Sequence, residues 1–240
     1  MARDTLFENR TPAEKFDFND RVADVFDDML DRSVPYYKQV IEMTAEILQR
    51  SLQPGDAVYD LGCSTGTTLT ALARMIKLEN LRFVGMDNSG PMLAKAVRKA
   101  EMFSVADRIN FVEQDITAAR FSDAGAVILN YTLQFIKPPV RAGFLKKIYQ
   151  GLRQGGALIL SEKIVCRDNE LDRQFLDSYY LLKKRRGYSE LEIANKRDAL
   201  EDVLIPFTIA ENHDLLQQTG FSRTTTFFQW FNFASFVAFK

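Results

Sequence analysis

The sequence predicts an α/β protein built on one mostly parallel, seven-stranded sheet with helices on both faces and one antiparallel strand near the C-terminus. Three observations predict it. Short apolar runs alternate with helical patterns from Ala57 to Ser161, the rhythm of successive β-α units. The first run opens into a turn with two glycines, Asp60-Leu61-Gly62-Cys63-Ser64-Thr65-Gly66. The next three runs end on polar residues, which right-handed crossovers would gather along one edge of the sheet.

In order along the chain, residues 1–20 are polar, with scattered aromatics at Phe7, Phe16 and Phe18. Arg21–Asp31 sets Val22, Val25, Phe26, Met29 and Leu30 at helical spacing. Ser33-Val34-Pro35 interrupts the pattern, and Tyr36–Leu52 resumes it through Val40, Ile41, Ile47 and Leu48. Residues 1–53 are expected to form an N-terminal helical segment, closed by the turn Pro54-Gly55-Asp56. Ala57–Leu61 then reads as a strand and Thr67–Lys77 as a helix. Leu81–Met86 is a strand and Pro91–Phe103 a helix, its proline near the first turn where a missing N–H costs little. Ile109–Glu113 and Ala124–Asn130 are strands, the second apolar enough for a sheet centre. Val140–Leu152 is a helix that Gln154-Gly155-Gly156 is expected to end, ahead of the strand Ala157–Ser161. Residues 167–204 break the alternation as an insertion of two helices, Asp168–Arg186 and Ser189–Leu204, joined at Gly187. Glu211–Gln218 is a short helix stopped by Gly220, and Thr224–Phe228 and Phe231–Phe239 close the sheet as an aromatic hairpin. Residues 1–240 read as a single domain without repeats or low-complexity stretches.

Composition narrows the function. Apolar residues make up 46% of the chain and charged residues 26%, as in ordinary soluble proteins. Lys and Arg total 31 against 32 Asp and Glu, a net charge of −1. The basic excess that grips nucleic acid by counterion release is missing, so a small molecule is expected as partner and direct nucleic-acid binding is not. Of the two cysteines, Cys63 sits inside the glycine turn, which argues against a structural disulfide and fits a reducing cytoplasm. No apolar run would span a bilayer, and Met1 to Phe7 lack a signal-peptide core, so the expectation is a cytoplasmic protein without a membrane partner.

The chemistry resides in the strand ends. The Asp-x-Gly-x-x-x-Gly spacing of Asp60–Gly66 is neither the dinucleotide fingerprint nor a phosphate loop, which lowers the case for NAD. A carboxylate beside backbone cleared by glycine suits S-adenosylmethionine (SAM), whose charged end is an amino acid. Asp87, about 20 residues beyond the loop, is placed to accept from a ribose. Asp115-Ile116 can pair with an adenine, and Asn130 ends the fourth strand. Any one of these residues is more simply a cap or turn residue; the ordered set is the specific signal.

Cys63 as a nucleophile would need a base, and His213 is the sole histidine, so a backbone contribution from Cys63 and a surface or helix-start role for His213 are expected. No cluster has metal-ligand spacing, and no metal is expected. The run Lys183-Lys184-Arg185-Arg186 reads first as a solvated helix end and second as a face for an anion or tRNA. The Phe227–Phe233 tail reads as sheet core or a subunit face.

Several segments outside this common core carry a closer likeness. They are Arg3-Asp4-Thr5-Leu6-Phe7, Arg32-Ser33-Val34-Pro35, Leu129-Asn130-Tyr131-Thr132-Leu133-Gln134-Phe135 and Ile148-Tyr149-Gln150-Gly151-Leu152. To these are added Gly187-Tyr188-Ser189-Glu190-Leu191-Glu192-Ile193 and Phe231-Asn232-Phe233. With Val58–Ser64, the chain resembles the carboxy-S-adenosylmethionine synthases, within the class I SAM-dependent methyltransferase superfamily, over nearly its whole length. The resemblance implies a Rossmann-like methyltransferase fold and a transferase reaction in which SAM and prephenate give carboxy-SAM and phenylpyruvate. Prephenate loses its ring carboxylate as CO2 and its hydroxyl group, and the SAM methyl is deprotonated to an ylide that captures the CO2. Carboxy-SAM would then serve a tRNA carboxymethyltransferase that modifies a wobble uridine.

Carried over by motif, the ligand contacts implied are Tyr37, Gly62, Cys63, Ser64, Asp87, Asn88, Asp115, Ile116, Asn130 and Arg197. Arg197 is the implied catalytic residue, offering a planar, permanent cation to the new carboxylate. In the family this arginine is thought to cross a dimer interface, which implies a homodimer. Two positions depart from the family. Tyr36 stands where a glycine is usual, leaving open which of Tyr36 and Tyr37 meets the ligand, and Ser64-Thr65-Gly66-Thr67 replaces a loop that often carries Leu and Ala. A conventional methyltransferase acting on a small acid or tRNA, and a non-catalytic SAM-binding protein, remain the rival readings.

Overall fold

The computed structural model describes residues 3–8 and 17–240. Phe16 lies outside the described residues. Helix α1 (Asp20–Ser33) starts where Asn19 accepts the Val22 N–H at 3.2 Å, and α2 (Tyr37–Ser51) follows after Val34 and Pro35. The alternation then runs β1 (Ala57–Leu61), α3 (Thr67–Met75), β2 (Arg82–Asp87), α4 (Gly90–Met102), β3 (Ile109–Glu113) and β4 (Ala124–Asn130). It continues with α5 (Pro138–Gly151) and β5 (Leu152–Lys163). The insertion supplies α6 (Asn169–Arg185) and α7 (Glu190–Leu200), and the chain closes with α8 (Ile209–Gln218), β6 (Arg223–Trp230) and β7 (Phe233–Phe239).

The sheet order is β3-β2-β1-β4-β5-β7-β6. Strands β1 to β5 pair in parallel, and β7 lies antiparallel between β5 and β6. The single antiparallel strand and the two-faced α/β architecture agree with the reading of the sequence. Alternation along β4 divides the core: Val127 and Leu129 pack with Phe144, Leu145, Ile148 and Leu216, while Ala126 and Ile128 pack with Leu48, Leu69 and Leu72.

One expectation fails at Gln154-Gly155-Gly156. The glycines do not end α5; β5 begins directly at Leu152, and the register against β4 shifts between Ala124 and Ala126. Gly155 takes φ +74° and donates to the Lys240 carbonyl at 3.0 Å, while Lys240 donates back to Gly156 at 3.0 Å. The pair therefore forms a bulge that captures the chain end, a role glycine fills as readily as a helix stop. The insertion's second helix also ends earlier than expected, at Leu200 and not Leu204.

The insertion does not stand apart from the N-terminal segment. Tyr188 donates its hydroxyl to Asp4, Asn195 donates to the Phe7 carbonyl at 2.9 Å, and Arg32 reaches the carbonyls of Asp4 at 3.0 Å and Arg186 at 2.9 Å. Segments far apart in sequence, each outside the alternating core, are thus brought together beside the C-terminal edge of the sheet.

Candidate functional site

The C-terminal ends of β1 to β4 open onto one cavity of about 570 Å³, within the range of small-molecule sites. Tyr37, Gly62, Cys63, Ser64, Asp87, Asn88, Asp115, Ile116 and Asn130 all line it. Helix α1 closes the opposite wall with Phe26, Met29 and Leu30.

The glycine turn is built to keep backbone at this surface. The N–H groups of Gly62 and Cys63 both reach the Met86 carbonyl, at 2.7 and 3.0 Å, tying β1's exit to β2. Gly62 sits at φ +79°, and a Cβ there would lie 2.6 Å from Thr132 Cγ2. Ser64 donates its N–H to Asp87 at 2.8 Å, and Ser89 donates to the other Asp87 oxygen at 3.0 Å. Burial nevertheless raises the Asp87 carboxyl above its ordinary range, because these amide donors only partly offset desolvation.

Three polar atoms in residues lining the cavity are buried without a hydrogen-bond partner: Asp60 Oδ1, Asn130 Oδ1 and the Tyr131 hydroxyl. Leaving such groups unpaired costs about 1–3 kcal/mol each, so the site is set up for a polar ligand. Burial, with the nearby charge of Asp87, pushes the Asp60 carboxyl up to about 7. Burial also raises the Tyr37 and Tyr131 phenols, which keeps both as neutral donors. An ammonium group would relieve Asp60, and hydroxyl donors would satisfy Asn130; both occur in SAM, so the residues present fit that molecule.

Tyr36 and Tyr37 have different positions. Tyr36 takes φ 53°, a left-handed conformation glycine adopts freely, and is exposed. Tyr37 turns into the cavity and shares a 3.0 Å hydrogen bond with Thr68, which also accepts from Asn130 Nδ2 at 3.1 Å. The loop departure also has a structural use. Thr65 and Thr67 donate to Asp27 on α1 at 2.6 and 3.0 Å, and Lys99 completes the network with a 2.7 Å bond to the same carboxylate. Burial alone would raise Asp27, but Lys99 and the two hydroxyls hold it below its ordinary range. The hydroxyls thereby fasten α1 over the loop.

Cys63 is buried, and desolvation together with Asp60 and Asp87 pushes its thiol well above its usual range, the opposite of what a nucleophile needs. His213 lies within α8, not at its start, with its ring nitrogens 3.0 Å from the hydroxyls of Thr224 and Thr226. The basic run at 183–186 is only partly solvated. Lys184 pairs with Glu190 and Arg186 donates to the carbonyls of Asp31 and Val34, but Lys183 is buried. Arg197 lies on α7 with its side chain 62% exposed, paired to Asp198 at 2.9 Å, and does not line the cavity of its own chain.

The cavity also contains residues absent from the contacts carried over by motif: Thr68, Tyr131, Lys163 and Lys196, together with Asp60, whose carboxylate the glycine-turn spacing had already singled out for an amino group. Lys163 ends β5, but the strand was expected to stop at Ser161, so the strand-end rule alone would not have reached it. Among the described residues there is no group of three or more His, Cys, Asp or Glu that would hold a metal, and no helix long and apolar enough to cross a membrane.

Comparisons with known proteins agree with this geometry. Residues 58–156 match the model of a methyltransferase domain. The solved structure of an O-methyltransferase family protein from Burkholderia thailandensis superposes with a TM-score of 0.66 at 16% identity, covering 92% of this chain and 60% of that one. That likeness shows the class I methyltransferase-type fold. The carboxy-S-adenosyl-L-methionine synthase of Desulfotalea psychrophila is 56% identical over 238 residues, covering 99% of this chain and 97% of the relative. That of Wolinella succinogenes is 44% identical over 239 residues, covering 99% and 98%. With end-to-end identity at this level, the chain belongs to the carboxy-S-adenosyl-L-methionine synthase family.

Proposed function

We propose that this enzyme carboxylates the methyl group of SAM with CO2 taken from prephenate, yielding carboxy-SAM and phenylpyruvate. The observation that carries the reading is the company kept by the SAM-type strand ends. They share one cavity with Lys163 and Lys196, cations suited to an acidic co-substrate. SAM supplies a methyl group acidified by its sulfonium. In prephenate the bond to the ring carboxylate breaks, its electron pair aromatises the ring, and hydroxide leaves. The hydroxide takes a methyl proton to become water, and the pair left on that carbon forms the bond to CO2.

Within this scheme Asp60 receives the ammonium of SAM, Asp87 its ribose, and the Asp115-Ile116 turn its adenine. No side chain need serve as a strong base, which suits a cavity whose lining contains no histidine. The enclosing wall from α1 keeps CO2 and the reacting carbon together and away from bulk water. Arg197 does not line its own chain's cavity and is exposed, so it is assigned to the new carboxylate in the second subunit of a homodimer. Leu171, Leu181 and Leu191 on the same two insertion helices are exposed, which supports an interface there. The product would pass to a tRNA carboxymethyltransferase.

Purified protein incubated with SAM and prephenate, followed by mass spectrometry, tests the reading. A species heavier than SAM by one CO2, with phenylpyruvate formed in step, is expected. S-adenosylhomocysteine with a methylated acceptor would establish a conventional methyltransferase, and bound but unchanged SAM a binding protein.

A further inference from the structure

Three lysines from different elements meet at one side of the cavity. Lys163 ends β5, Lys183 lies near the end of α6, and Lys196 lies on α7. Two tyrosine rings join them. The ammonium groups of Lys163 and Lys183 stand 5.3 and 5.5 Å from the Tyr179 ring centre, and those of Lys183 and Lys196 stand 5.2 and 5.7 Å from that of Tyr188. Lys183 and Lys196 are 3% and 7% exposed, and Lys163 and Lys196 line the cavity itself.

No ion pair joins any of the three to a carboxylate among the described residues. The acids nearby are committed elsewhere. Asp4 accepts from the Tyr188 hydroxyl and the Leu6 N–H, Glu192 from the Ser189 N–H and hydroxyl, and Asp172 from the Cys166 N–H. Lys196 donates to the neutral Ser33 hydroxyl at 3.0 Å and stands 5.7 Å from the Phe7 ring centre. Desolvation lowers all three lysines, Lys183 to about 6 and Lys196 to about 8; for Lys183 the other two lysines add repulsion, and the charges of Asp4, Glu192 and Asp172 offset only part of this. Burying three ammonium groups without a direct ion pair is costly, and a carboxylate entering the cavity would offset that cost.

We propose that Lys163 and Lys196, backed by Lys183, form the subsite for the 2-oxo acid carboxylate of the co-substrate and leave its ring carboxylate without a lysine partner. This deepens the reading above and rests on prephenate as the CO2 donor. The choice between the two carboxylates follows from charge. A carboxylate leaving as CO2 gives up its charge in the transition state, so cations fixed on it would hold back the ground state and slow its loss. The 2-oxo acid carboxylate keeps its charge throughout, so cations there bind substrate without opposing the reaction. Phenylpyruvate retains that same group and should occupy the same subsite.

The test uses Lys163→Met and Lys196→Met, which keep most of the unbranched side chain and remove the charge, with Lys196→Arg as the charge-retaining control. Three quantities are measured: the KM for prephenate, the Kd for phenylpyruvate on SAM-loaded protein, and the Kd for SAM. Each Met variant is expected to raise the first two about tenfold or more and to leave the third within about twofold, with Lys196→Arg recovering most of the loss. A raised prephenate KM with unchanged phenylpyruvate binding would overturn the assignment, since the lysines would then hold the ring carboxylate. Unchanged values for both would overturn the subsite. Should a Met variant unfold, the Lys→Arg forms at 163 and 196 and the thermal shift given by phenylpyruvate to wild-type protein decide the matter: no shift counts against the subsite. If wild-type protein makes no carboxy-SAM, the proposed reaction fails separately, and phenylpyruvate binding with or without lysine dependence still settles the subsite.

Discussion

Asp60 gives the most direct quantitative test of the SAM site. Its carboxyl is buried, one oxygen lacks a partner, and its pKa is pushed up to about 7. In free protein below that pH it is mostly protonated, whereas beside the ammonium of SAM it must ionise. Binding then releases a proton, so affinity falls as the medium is acidified below about 7. At pH 6 the deprotonation costs about 1.4 kcal/mol, a tenfold rise in Kd; at pH 5.5 it costs about 2 kcal/mol, a thirtyfold rise. Above neutrality the trend stops, because the α-amino group of SAM itself begins to lose its proton near 8. Titration calorimetry from pH 5.5 to 7, repeated in buffers of different ionisation heat, reads both the slope and the proton released. Asp60→Asn keeps the shape and removes the titration, so it should bind more weakly at pH 7 and show a flattened profile. A wild-type Kd constant over this range, or an undiminished slope in Asp60→Asn, would refute the assignment.

Other perturbations address the scaffold and the second subunit. Gly62→Ala should lower stability by about 1–3 kcal/mol and weaken SAM binding, because its Cβ meets Thr132; Gly55→Ala has positive φ but open space, and thermal melts should show a smaller loss. Arg153→Met should cost about 3 kcal/mol in denaturant unfolding by leaving Asp56, 8% exposed, without its ion pair and with only the Gln53 N–H as donor. Against the pull of burial, Arg153 holds Asp56 below its ordinary value, so this stability is present above about pH 4 and is lost as pH falls; the gap between wild type and variant should narrow in acid. Arg197→Ala should weaken carboxy-SAM binding about tenfold or more while leaving SAM within about twofold, and equal losses in parallel titrations would remove its assigned role.

The strands and the glycine turn were legible because their signals are local: alternation, a two-glycine turn and polar strand tips are written within a few residues of one another. The Gly155-Gly156 bulge was not, since a glycine pair after a helix looks the same whether it stops the chain or bends a strand around Lys240. Lys183 was read among its charged neighbours, yet in the fold it packs against the rings of Tyr179 and Tyr188, on either side of the basic run. Arg197 carries no local mark that separates it from Lys196. Only the folded arrangement shows that one faces the cavity and the other faces out.

The contacts among Asp4, Arg32, Tyr188 and Asn195 bear on how this activity could be moved or lost. The lysine-bearing wall is assembled from the N-terminal segment, the end of α1 and the insertion, so no single graft onto an ordinary methyltransferase would carry it. A chimera given the insertion alone would lack the Asp4 acceptor for Tyr188 and the Arg32 tie to Arg186. The three pieces form a heritable unit scattered through the chain, and changes in one should be matched by changes in the others.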